Sequence, residues 1–547
     1  MKHRGWSCVT EPRPATSIGA TINIPSRIPS RRNLVRFSAL ALSLSLLAAS
    51  GGDTLGYIAS VAELTDRAPE PELRPVPRAE CGPGAREETG IQGRVSRADH
   101  ESGLAGQGLR CNTELVGQHS QEKGGVDGTI HGSVAGYKVH RYIDDLGNEC
   151  AYYDTSLLPP TNVGDANLGV RVLDMADPSD PALTSVLTSP AMSFPHESLI
   201  MSETRGLLVA VAGNLGQTLL PGQVDIYDIN GPLGCTVPVL LSSTPLGIWG
   251  HESGIAPDGN TFYASSLSNE TVTALDISNP LLPEIIVHQE DVAAHGISIS
   301  ADGNTAYVAR GQNGNGFEIY DVSSIQNREA DPRMEHVTKL TWDNMSVPQQ
   351  TIPVEIDGHP YVIESDEFLR GGADRTGASR IIDISDPTQP FVAGNLRLEV
   401  HMEENRVNGA LQDDPGTSAN GNNPFSFAQD YTGHFCNVPS LVDPKIVACG
   451  MSISGLRVFN IEDPCNPYEI AYFTAPVQEK VFPEGSNWAY SQPVFAPERQ
   501  EVWYSEAYTG FYAVKLTNGV WPDNIGQPNE EPHVPCNQRE DWSGSTG

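Results

Sequence analysis

The chain has 547 residues, a formal net charge of −34, 53 glycines and 42 prolines. A surface this acidic repels phosphate backbones and anionic lipid, which argues against a nucleic-acid partner and fits a soluble protein or a saline setting. The length exceeds one ordinary core unless a repeat lets the core grow by addition.

Residues 1–50 read as an export signal. Arg31-Arg32 and Arg36 precede an apolar run from Phe37 to Ala49, of signal-peptide length and too short to span a bilayer comfortably. The paired arginines resemble the twin-arginine pattern, with Leu34 where phenylalanine is commoner; ordinary secretion and an uncleaved anchor stay open. The expected location is extracellular or periplasmic, with cell-surface association open, and no later stretch is apolar enough to span a membrane. Of nine cysteines, Cys8 lies in the signal. The remaining eight are an even number in an exported chain, so disulfides are expected. Cys436 and Cys449, on runs read as adjacent strands, are the best pair. Residues 51–110 are rich in Pro, Gly, Glu and Arg without periodicity and read as a partly disordered linker, with order beginning near Cys111.

From there one pattern recurs about every 50 residues. A first alternating run turns through a pair such as Asp302-Gly303 into a second. A third follows, ending in an aspartate: V-L-D174-M, I-Y-D228-I, A-L-D276-I, I-Y-D321-V and I-I-D383-I, fading to V-F-N460-I and A-V-K515-L. A D/N-P-x-x-P turn then leads to a fourth run, as at Asp177-Pro178, Asn279-Pro280, Asp386-Pro387 and Asp463-Pro464. Prolines cannot donate to the strand ladder, and the aspartates suit turns. Seven such four-stranded units over residues 111–520 predict an all-β, seven-bladed β-propeller. The last unit lacks its fourth strand, and Asn112 to Gly117 has the fourth-strand pattern. An N-terminal strand is therefore expected to complete the last blade and close the ring. An insertion at about 402–430 lies in the long interval before His434, and residues 521–547 form a tail.

The runs G-V-R-V-L-D-M-A-D-P-S-D-P, V-T-A-L-D-I-S-N-P-L-L-P, S-R-I-I-D-I-S-D-P-T-Q-P and G-L-R-V-F-N-I-E-D-P-C-N-P resemble the LVIVD repeat family of bacterial secreted and surface propellers. The resemblance covers residue 112 to about 520. It implies the fold, and its members are largely without an assigned reaction. A more distant similarity is to selenium-binding and methanethiol-oxidase-type propellers, in which histidines near the axis hold metal; their cysteine-rich motifs are absent here.

Aligning the first runs places His140, His196, His251, His295 and His434 at one register, with Thr351 and Ser491 in the other two units. First strands of a propeller line its channel, so these histidines are a candidate ring at one mouth, not all binding at once. Glu197, Glu252 and His401 are secondary candidates. Imidazole is the commonest transition-metal ligand, and such a ring suits one divalent Zn, Cu, Fe or Mn. The competing reading is structural: a histidine at a fixed blade position can bond the neighbouring blade's backbone. His401-Met402-Glu403-Glu404 fits a lid or a solvated charged turn. No nucleophile or dinucleotide motif occurs. Two functions follow. One is a monomeric module that binds a small molecule or protein at the channel mouth or acts as a surface-interaction module. The other is a metal-dependent hydrolase or oxidoreductase.

Overall fold

The computed structural model describes residues 71–119, 136–155, 169–213, 222–311, 316–368, 376–406, 411, 414–415, 431–477, 487–507, 509–529, 533–540 and 542. Residues 1–50, read as an export signal, and the greater part of the insertion lie outside them. Seven antiparallel sheets stand in a ring. Blade one comprises Val139–Ile143, Glu149–Asp154, Val170–Asp174 and Ala182–Leu187, and blade two Leu199–Ser202, Leu207–Val211, Gln223–Asp228 and Val239–Pro245. Blade three is Gly254–Ile255, Thr261–Ser266, Thr271–Asp276 and Glu284–Glu290; blade four is Ala294–Ile299, Thr305–Arg310, Gly316–Asp321 and Glu335–Leu340. Blade five is Val347–Ile356, His359–Glu367, Ser379–Asp383 and Phe391–Leu396. Blade six, Phe435–Asn437, Ile446–Gly450, Leu456–Asn460 and Tyr468–Thr474, carries Leu109–Cys111 as a fifth, outer strand. Blade seven pairs Val494–Ala496, Glu501–Glu506 and Gly510–Leu516 with Thr113–His119 as its outermost strand.

The repeated aspartates are punctuation. Asp174, Asp228, Asp276, Asp321 and Asp383 each accept, at 2.8–2.9 Å, the N–H two residues on, closing an Asx turn where the third strand ends. Asp177, Asn279, Asp386 and Asp463 repeat the same bond one turn later. Each blade then carries a bulge between its third and fourth strands, which raises the local twist. Alternating side chains of adjacent blades interlock in seven apolar clusters, one per interface; Val139, Tyr153 and Leu173 of blade one, for example, meet Trp503 and Phe511 of blade seven.

Residues 71–111, read from sequence as linker, are packed chain. Val76, Gln92, Val95 and Asp99 are buried, and Ser96 caps the short helix Arg97–Glu101 in a capping box. Val76 N–H donates to Arg397 O, Tyr431 bonds Val95 N and O, and Cys81 is bonded to Cys111. This strap covers blades five and six, and most of the bonds that hold it are long-range, through backbone and side chains alike, so no periodicity announces it. Three further disulfides join Cys150–Cys235, Cys436–Cys449 and Cys465–Cys536. The last fastens the tail to blade six. Among the described residues no helix is long and apolar enough to cross a membrane.

Candidate metal centre

Backbone bonds between blades fix which channel-lining residues share a level. Lys138 bridges Gln492 and Glu252 bridges Gly296 in parallel, so Tyr137 stands level with Ser491, and His251 with His295. His295 Nδ1 bonds Pro348 O at 2.8 Å, and His434 Nδ1 bonds Tyr490 O at 2.6 Å. These equivalent contacts put Gln349 in blade five where Ser491 stands in blade seven. The ring is thus Tyr137, His196, His251, His295, Gln349, His434 and Ser491.

Two places differ from the sequence alignment. In blade one the level belongs to Tyr137, three residues before His140. His140 instead bonds the next blade's Leu199 O through Nε2 at 2.8 Å, the blade-locking role, and burial lowers its pKa to about 4. In blade five a bulge between Pro348 and Gln350 shifts the register from Thr351 to Gln349. His401 stands apart: it is buried, Leu398 N–H donates to its Nδ1 at 3.1 Å, and burial with nearby Arg406, Arg397 and Arg457 holds its pKa far down.

The four remaining histidines converge on Glu197. His196 has φ +50°, a left-handed backbone uncommon outside glycine and a recurrent mark of functional sites. Gly213 makes room for it, since a Cβ there would lie 2.4 Å from His196 Cβ. Glu197 follows directly. Its carboxylate lies 3.1 Å from His251 Nε2, 3.5 Å from His434 Nε2, 3.9 Å from His196 Nε2 and 4.0 Å from His295 Nε2. Gln349 Nε2 donates to it at 2.7 Å. A second carboxylate, Glu367, stands 3.4 Å from both His295 Nε2 and His434 Nε2. The sequence reading missed it, because a glutamate ending a strand reads as a solvated residue; its signal is position, since it closes a second strand where blade four has Arg310-Gly311.

This donor set fits a cation. The Nδ1–H of His295 and of His434 donates to a carbonyl, so each Nε2 faces the axis with its lone pair when the ring is neutral. An ion about 2.1 Å from each ligand would set neighbouring donors roughly 3.0–3.4 Å apart; among the described residues His196, Glu197 and His251 have ligand atoms all within 4.8 Å of one another, with His295 and His434 within 4.0 Å of Glu197. Without an ion the cluster holds protons. Burial lowers His434, but hydrogen bonds to Glu197 and Glu367 outweigh it and push its pKa up to about 9. Burial and neighbouring His251 take His196 down to about 3. Burial raises Glu367; in Glu197 burial is outweighed by His251 and His196, and the pKa falls well below the carboxylate range.

One level below, Lys138 Nζ reaches across the channel to Glu252 Oε1 at 2.7 Å and Gln492 Oε1 at 2.9 Å, and lies 3.9 Å over the Phe435 ring. Glu252 is therefore bound to Lys138 rather than to a histidine, and burial moves its pKa up to about 7. The pair floors the site.

A comparison with curated proteins finds no match. Among solved structures the chain is similar to hydrazine synthase of Kuenenia stuttgartiensis, 16% identical over 56% of this chain and 72% of that one, with a TM-score of 0.36. A protein of unknown function from Desulfotomaculum acetoxidans DSM 771 is 15% identical over 62% and 86%, TM-score 0.39. A chain of a mitotic checkpoint complex is 10% identical over 74% and 94%, TM-score 0.40. The LVIVD repeat model matches residues 294–325 and 373–397, in blades four and five, so two stretches of this seven-bladed β-propeller carry the LVIVD repeat.

Proposed function

We propose that this propeller is an exported, metal-dependent oxidoreductase. A divalent transition metal is held on its axis by His196, His251, His295 and His434, with Glu197 and Glu367 as carboxylate ligands or close partners. The observation that carries the reading is the convergence of four imidazole Nε2 atoms within 4.0 Å of one buried carboxylate. Nitrogen and oxygen donors without thiolate suit iron, copper or manganese. Four disulfides fit an oxidising compartment outside the cytoplasm. The interaction-module reading rests on the acidic surface and the insertion; the axial cluster is the more specific feature, because no packing requirement gathers two carboxylates and four imidazoles on a channel axis.

Metal analysis of the purified full chain tests this. One equivalent of a redox-active metal is expected, reduced by ascorbate and reoxidised by ferricyanide. The His251→Ala/His295→Ala variant should lose it while keeping the wild-type circular dichroism. A protein that takes up no iron, copper or manganese on titration ends the proposal, and one that holds only zinc ends its redox part.

A further inference from the structure

Blade five sends an amide to the axis where its neighbours, blades four and six, send imidazoles. Gln349 is fully buried and stands at a bulge, the ladder shifting register between Pro348 and Gln350. His295 occupies the same kind of place in blade four, where the shift falls between Ala294 and Gly296. Bulges re-aim side chains next to active sites, and they tolerate a proline that has no N–H for the ladder. In blade four the bulged residue is a candidate ligand. In blade five it is a hydrogen-bond donor.

The segment around Gln349 touches three parts of the centre. Pro348 O accepts from His295 Nδ1 at 2.8 Å, and Gln349 Nε2 donates to Glu197 Oε2 at 2.7 Å. Gln350 Oε1 accepts the N–H of Cys436, two residues after His434, at 2.8 Å. Blades four and five approach closely here: at Gly296 a Cβ would lie 2.2 Å from Gln349 O, so the position needs glycine.

The amide differs from the histidines that face Glu197. A histidine Nε2 donates to the carboxylate only while it carries a proton, and a metal that binds it takes that proton away. An amide N–H has no such proton to lose and donates at any ordinary pH. With the ion in place, Gln349 is the one of these groups that still holds Glu197 by a hydrogen bond. Metal-ligating carboxylates are oriented by outer-shell partners of this kind. Packing does not account for the glutamine. Its Oε1 is buried without a partner, and a core is better served by an apolar side chain than by a half-used amide.

Resting on the metal reading above, we infer that Gln349 is a positioning residue of the axial centre, its amide N–H keeping the Glu197 carboxylate turned to the histidines when they bind an ion. The bulge at Pro348–Gln350 is the device that delivers it.

The test uses the full chain loaded with whichever of iron, copper or manganese it retains, metal content being measured first. Gln349→Met keeps the bulk and removes the amide; Gln349→Asn keeps the amide and draws it back from Glu197. Both should bind the metal about 10–100-fold more weakly than the wild type, read by titration against a competing chelator. At saturating metal, both should show an altered electron paramagnetic resonance spectrum of the iron(III), copper(II) or manganese(II) form, which a purely structural role would not move. Gln350→Met, which loses the Cys436 bond of the same segment, should keep the wild-type affinity and spectrum. Wild-type affinity and spectrum in either folded Gln349 variant overturn the inference while the metal reading stands. So does a Gln350→Met spectrum moved as far as that of Gln349→Met, or the failure of both Gln349 variants to fold without metal. A wild-type chain that retains no metal removes both readings.

Discussion

The buried arginine clusters of this propeller contrast with its axial histidine cluster. In blade five Arg380 pairs with Glu364 and with Asp366 at 3.2 Å and stacks 4.0 Å from the Trp342 ring. In blade six Arg457 binds Glu469 at 2.9 Å and Glu88 of the strap at 3.0 Å, with Ser454 O at 2.8 Å. Here each set of carboxylates meets a guanidinium, which stays charged at any ordinary pH and supplies several fixed donors. On the axis, the partners of Glu197 and Glu367 are histidines and Gln349. Histidine can give up its proton and offer a lone pair instead. The arginine clusters are complete as built, and the axial cluster can exchange its protons for a metal.

The contrast can be broken from either side. The largest expected effect is at Arg457: Arg457→Ala leaves two carboxylates buried without a cation and should cost about 3–5 kcal/mol, read by denaturant unfolding, with faster proteolysis of the strap. Next is Glu197→Gln. Metal at 100 times its Kd should stabilise the wild type by about 2.7 kcal/mol; the variant should lose that gain, and its metal-free form should also be less stable than the wild type, because His251 and His196 favour the ionised Glu197; melting with and without metal separates the two losses. His140→Ala removes one blade-locking bond and should cost about 1 kcal/mol with metal content unchanged; a loss of metal would return His140 to the site. The smallest effect concerns the tail. Asp357 is held at a pKa of about 2, because bonds from Asn529 and His533 outweigh its burial. Its contribution is therefore present above the unfolded value of about 3.9 and lost as pH falls toward 2. In Asp357→Asn the fall in stability across that interval should be shallower.

Much of the fold was legible because its signals are local. The aspartates that end third strands and the prolines after them sit at fixed offsets from the strand, and the repeat shows the aspartate five times and the proline turn four times. The candidate site was legible only in part. His196, His251, His295 and His434 lie at the aligned register and do meet. Blades one and five misled, since the backbone that leads into their first strands is offset: Tyr137 and Gln349 hold the places given to His140 and Thr351. Glu367 was invisible because nothing local distinguishes a strand-ending glutamate that faces the axis from one in water. His401 suits a solvated charged turn by its neighbours, yet it is buried beside Arg397 and Arg406 of its own stretch and Arg457 of blade six. Long-range packing decided each of these, and it leaves no period in the sequence.

The pairing of Thr113–His119 with Gly510–Leu516 carries a consequence for how the chain folds. Blades one to five can each form from a contiguous stretch of chain as it is made. Blade seven joins Thr113–His119 to Gly510–Leu516, so its outer strand must wait until the chain has been made as far as Leu516. Contacts this distant in sequence are slow to form, and until then the blade-one face later covered by Trp503 and Phe511 stays open to solvent. A chain halted before Leu516 would hold most of its blades and keep that face exposed, a prime target for chaperones and proteases.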